Sequence, residues 1–86
     1  AARLLVWDAA FAVDAGEETA VTFKAPAAKT YAADTEIKAA QTALEVLGAY
    51  GTTKEYETEK YLRDAWMGYS CDFTREVLRL GMVPFL

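Results

Sequence analysis

Apolar residues recur along this chain at intervals of three and four, and no stretch alternates polar and apolar residues over the length of a strand. In the longest periodic segment Ala33, Ile37, Ala40, Leu44 and Leu47 draw one apolar stripe along a helix. Leu4, Trp7 and Phe11 mark a similar stripe near the start. Breakers divide the pattern into helices predicted over about 1–14, 22–48, 53–65 and 72–81. Gly16 ends the first as a left-handed cap, and residues 17–20 connect to the second. Pro26 suits a first turn, where amide donors lack helical partners anyway. Gly48 and Gly51 break the second helix, Thr52 and Thr53 open the third, and Gly81 and Pro84 close the fourth. Residues 66–71, apolar and carrying Gly68, read as the last connection. The fold class is therefore all-α, a partial up-and-down helical bundle. Ala32, Ala33, Ala39, Ala40 and Ala43 allow another helix to approach the long stripe closely. Trp7, Tyr56, Tyr61 and Trp66 are expected in packing positions, and Phe73, Val77 and Leu80 on the inward side of the last helix.

A chain of 86 residues makes one small domain, which buries only about 60–65% of its unfolded surface. Hydrophobic residues make up 53% and charged ones 26%, a balance suited to a packed helical protein rather than a disordered one. The first stripe starts without a capping residue before it, as expected of a piece of a longer protein. Such a piece, with an apolar stripe uncovered, should self-associate or bind other helical segments. Nine basic and thirteen acidic residues give a net charge of −4, and the basic ones are scattered, which argues against a nucleic-acid partner. With one cysteine, Cys71, and no histidine, disulfides within the chain, Cys/His zinc sites and His-based triads are excluded. Cys71 reads as a small buried side chain without a cation to stabilise a thiolate. The alternate spacing of Glu55, Glu57 and Glu59 scatters carboxylates around a helix, so no metal site is assigned. No apolar run is long enough for a membrane span, and a cytoplasmic location is expected.

The order of motifs in the second half says more than any one of them. Thr42-Ala43-Leu44-Glu45-Val46-Leu47-Gly48-Ala49-Tyr50-Gly51 runs into Glu55-Tyr56-Glu57-Thr58-Glu59-Lys60-Tyr61-Leu62-Arg63-Asp64-Ala65. A long helix closing on a glycine turn, an acidic-aromatic helix closing on Arg-Asp-Ala, and a final helix led by a carboxylate resemble the C-terminal helical domain of acyl-CoA dehydrogenases. Ala2-Arg3-Leu4-Leu5, Asp14-Ala15-Gly16 and Ala27-Ala28-Lys29 also fall where that family has similar residues, so the resemblance covers nearly the whole chain. It implies an oxidoreductase of acyl-CoA or fatty acid metabolism that uses FAD and acts on an acyl-CoA thioester. It also implies a homotetramer and an electron-transferring flavoprotein as electron acceptor. A fragment with this domain alone should be inactive.

Aligned on Arg63-Asp64-Ala65, Asp72 stands where the family has its catalytic glutamate, and Thr74 where the family keeps a threonine. The resemblance thus implies that Asp72 removes the α-proton of the thioester. A desolvated carboxylate suits that task because burial raises its basicity. Asp72 is one methylene shorter than glutamate, roughly an ångström of reach in position-sensitive chemistry, and Phe73 replaces the usual glycine. On the residues alone, Asp72 reads as an N-cap for the last helix, a role compatible with catalysis at a helix start. Glu45, Val46, Leu47, Gly48 and Ala49 match the stretch that binds the FAD of a neighbouring subunit, with Glu45 in place of glutamine and Ala49 in place of a second glycine. Read without the family, they are a helix C-terminus with a glycine cap. Thr74, Arg75 and Glu76 match a second flavin-contacting stretch, or form the exposed first turn of a helix. Arg63 and Asp64 are implied to brace the turn between helices. Two other classes stay open: a flavin monooxygenase of the same fold, in which the carboxylate is dispensable, and a non-catalytic helical interaction module.

Overall fold

Four α-helices form among the described residues, α1 (Ala2–Ala15), α2 (Ala25–Leu47), α3 (Thr58–Ser70) and α4 (Arg75–Met82). The structure is a computed structural model and describes residues 1–71 and 74–85; no strand occurs among the described residues. The all-α fold predicted by the periodicity is thus observed. α1 stops at Gly16, whose φ of 72° is left-handed. The amides of Gly16 and Glu17 donate to the carbonyls of Val13 (3.1 Å) and Ala12 (3.0 Å), which satisfies the helix end.

The second helical run starts at Ala20 rather than residue 22, through a π-type turn, Ala20–Lys24, that leads directly into α2. Pro26 accounts for this turn. It has no amide to donate, so the regular ladder is interrupted at the helix start, and Ala25 donates five residues back to the Ala20 carbonyl. Lys24 Nζ lies 3.0 Å from Glu17 and 3.4 Å from Asp8, tying this turn to α1. Its hydrogen bond to the Glu17 carboxylate foremost holds the Lys24 ammonium pKa above its ordinary value.

α2 is the spine on which α1, α3 and α4 all pack. Ala33 and Ile37 of its stripe are buried, and Ala40, Leu44 and Leu47 half-buried. Alanine dominates the core, with Ala9, Ala12, Ala20, Ala28, Ala33 and Ala65 buried, and no large side chain among the described residues is fully enclosed. Small residues bring helix axes together but leave bulky faces without cover.

That trade explains several departures from expectation. α1 turns Leu5, Ala9 and Ala12 toward α2, while Leu4, Trp7 and Phe11 lie exposed on its other side. Tyr56, Tyr61 and Trp66 are exposed as well, and Tyr50 meets Tyr56 edge-on with ring centres 6.0 Å apart. In α4 the half-buried residues are Leu78 and Met82, whereas Val77 and Leu80 face solvent; Phe73 lies outside the described residues. Cys71 is exposed rather than buried.

The third helix spans 58–70 rather than 53–65. Thr52 and Thr53 donate their hydroxyls to the carbonyls of Ala49 (2.7 Å) and Tyr50 (2.8 Å), so they close the preceding turn instead of capping α3. Gly68 lies inside the helix rather than in a connection, and its bare Cα faces Glu36: an added Cβ would come within 3.1 Å of that carboxylate. Arg63 does not brace a turn but grips Glu59 one turn back on α3 through two bonds of 2.7 and 3.0 Å. This grip lowers the Glu59 pKa, while Asp64 pairs with Lys60 at 3.6 Å.

Candidate functional site

Two helix ends and one junction carry the candidate residues. α2 finishes at Leu47, and Gly48 turns the chain with φ 60° and ψ −136°, a conformation that only glycine adopts without strain. No atom comes within 4 Å of where a Gly48 Cβ would stand, so its backbone faces open space. A short 3₁₀ turn, Gly48–Thr52, follows. It is held because Gly51 nests on Leu44 and Leu47, where a Cβ would meet side-chain carbons at 3.1 and 3.2 Å. Glu45, Val46 and Ala49 are exposed, and Leu47 is half-buried.

At the second helix end Thr74 is the N-cap of α4, its hydroxyl oxygen accepting from the Val77 amide at 3.4 Å. The capping role that Asp72 could have filled thus belongs to Thr74; Asp72 itself lies outside the described residues. Arg75 opens α4 and Glu76 sits in its first turn. The Tyr69 hydroxyl donates to Glu76 at 2.6 Å, linking the end of α3 to the start of α4 across the junction that carries Asp72 in the sequence. Arg79 reaches Asp34 at 2.7 Å and fixes α4 partway along α2. That point is roughly three helical turns upstream of Glu45, so the two candidate stretches meet α2 at different places.

The sequence reading missed Lys29 as a site residue. Its ammonium donates to the carbonyls of Gly68 (3.1 Å) and Tyr69 (3.4 Å), two of the orphan acceptors at the C-terminus of α3. A signal was available, because Lys29 stands one turn before Ala33, in register with the apolar stripe. A cation kept on a packing face is held there by acceptors. Lys29→Met should therefore fray the last turn of α3, at a cost of about 1–2 kcal/mol. The expected readout is faster amide exchange at residues 68–71 with little change in α1; uniform exchange rates would contradict the role.

The open backbone at Gly48 fits close approach of a dinucleotide. Glu45 does not fit a phosphate: the last turn of α2 carries no basic residue, and its carboxylate adds to the negative end of the helix dipole. It fits a hydroxyl or amine donor instead.

A spine helix ending in an open glycine turn, with a capped final helix beside it, defines a helical domain whose candidate chemistry lies at helix ends. Residues 1–83 match the acyl-CoA dehydrogenase C-terminal domain, and the chain belongs to that family. It is 37% identical over 90 residues to an acyl-CoA dehydrogenase of Bacillus subtilis, covering 100% of this chain and 22% of that protein. It is 36% identical over 80 residues to the 3-(aryl)acrylate reductase of Clostridium sporogenes, covering 93% of this chain and 21% of the relative. The same identity over 80 residues relates it to the cyclohex-1-ene-1-carbonyl-CoA dehydrogenase of Geobacter metallireducens, with 93% and 21% covered. The chain thus spans about a fifth of the length of these relatives. No helix among the described residues is long and apolar enough to cross a membrane.

Proposed function

We propose that this chain is the C-terminal helical part of a flavin-dependent acyl-CoA dehydrogenase that removes one hydrogen each from the α and β carbons of an acyl-CoA thioester. Family membership over residues 1–83 is the observation that carries this reading. Bound FAD would supply the acceptor for the β-hydrogen as hydride. Asp72 takes the α-proton on a carboxylate oxygen, and the polarised thioester carbonyl acidifies that proton. Lys29 and Tyr69 act as positioning residues, because they anchor the chain on either side of the junction. The Gly48 and Ala49 backbone holds the dinucleotide of a neighbouring subunit. Glu45 accepts a hydrogen bond from one of its hydroxyl or amine groups, next to Val46 and Leu47. Thr74, Arg75 and Glu76 present the first turn of α4 to the flavin. The assembly is a homotetramer that passes electrons to an electron-transferring flavoprotein, within cytoplasmic acyl-CoA metabolism.

The test is anaerobic titration of the flavin-loaded enzyme that carries this domain with a panel of acyl-CoA thioesters. Rapid bleaching of the flavin is expected. Flavin that bleaches only with a nicotinamide and then consumes oxygen would replace the proposal by the monooxygenase reading.

A further inference from the structure

We propose that Asp34 and Arg79 are a positioning pair for the base: their ion pair fixes the placement of α4 on α2, and with it the reach of Asp72, which stands two residues before the α4 N-cap in the sequence. The guanidinium Nη2 of Arg79 donates to Asp34 Oδ2 at 2.7 Å, a short charge-assisted bond across 45 residues of chain. α4 needs such a link. It has eight residues, whereas helices shorter than about 12–15 residues are marginal on their own. Leu78 and Met82 are half-buried, and no described side chain of α4 is buried. Because the link runs within the domain, it holds whatever covers Val77 and Leu80.

Glu76 and Arg79 lie one turn apart on α4, so its two polar links leave from neighbouring positions on the helix surface. Glu76 is tied to Tyr69 of α3 at 2.6 Å and Arg79 to the spine. The first bond spans the junction, and the second resists tilting of α4 against α2. Arg79 follows Thr74 by five residues, about 7.5 Å along the helix axis. A tilt of roughly 8° about Arg79 would thus carry the start of α4 by about 1 Å, a displacement that costs catalysis on the order of a hundred-fold. Stability should respond far less. The side chains of Arg79 and Asp34 are 52% and 32% exposed, and exposed pairs contribute little to folding. A large effect on rate beside a small one on melting is therefore the signature of this pair.

This inference rests on Asp72 as the base named in the proposed function. Stopped-flow bleaching of the flavin-loaded enzyme that carries this domain tests it. Asp34→Asn and Arg79→Gln are each expected to lower the limiting bleaching rate about ten-fold or more, with the half-saturating thioester concentration, flavin content and melting temperature nearly unchanged. The reversed pair, Asp34→Arg with Arg79→Asp, is expected to recover most of the loss. In an Asp72→Asn background, Asp34→Asn is expected to have no further effect, because it acts through the base. Single variants that bleach at the wild-type rate, lose flavin or melt early, a reversed pair that stays slow, or an effect that persists without the Asp72 carboxylate would overturn the positioning role while leaving the base standing. Asp72→Asn alone bleaching like the wild type would overturn both.

Discussion

Exchanging Asp72 for asparagine in the enzyme that carries this domain is expected to slow flavin bleaching by acyl-CoA by about a hundred-fold or more. A positioned general base contributes about that much or more. The amide is nearly the same size as the carboxylate but has no basic oxygen, so thioester binding and flavin content should change little. Stopped-flow bleaching therefore separates the base from its surroundings. A rate that falls while flavin content and thioester affinity hold would make Asp72 the base. An unchanged rate would remove it from the mechanism and leave the domain with a binding role only. Asp72→Glu adds a further check, since the added methylene restores the family's usual reach, roughly an ångström longer.

The second large effect is on stability. Ala65→Leu should cost about 1–3 kcal/mol, because the extra carbons have no space to enter. Ala65 is 0% exposed, on a helix that packs chiefly against α2. For a domain of this size that corresponds to a melting temperature lower by roughly 5–20 °C. A control at Val46, which is 80% exposed on the far end of α2, should leave the melting temperature nearly unchanged. Equal tolerance at both positions would mean that the contact between α2 and α3 is looser than its alanines indicate.

The legible parts of the fold were those where one physical demand dominates. The stripe from Ala33 to Leu47 follows helical periodicity closely, and all five of its members are buried or half-buried. Gly16 and Gly48 were readable because the chain needs positive φ at both. The face of α1 was not, since bulk suggested Leu4, Trp7 and Phe11 whereas the close approach of two helices favours Ala9 and Ala12. The start of α3 was misplaced for a similar reason: a threonine hydroxyl serves a cap and a carbonyl one turn back equally well, and Thr52 and Thr53 chose the carbonyls. At the start of α4, Asp72 and Thr74 are both good caps two residues apart, and sequence alone does not rank them. Of the candidate site, the glycine turn after Leu47 was visible in the sequence. The anchoring of the α3 end by Lys29 was hidden, because it joins residues far apart in the chain.

The organisation around α2 also shapes how the domain comes apart. α1 shares the spine with α3 and α4 but rests little on either, so it can peel away without carrying them with it, whereas Tyr69 and Glu76 tie α3 to α4. Partial opening is then graded rather than all-or-none, and the least anchored helix sets the lowest threshold. α1 adjoins α2 in sequence and reassembles fastest, because closing a short loop costs little entropy. α3 and α4 return only across the longer span beyond Gly48. The contact between Tyr69 at the end of α3 and Glu76 at the start of α4 therefore re-forms after that of α1 with α2.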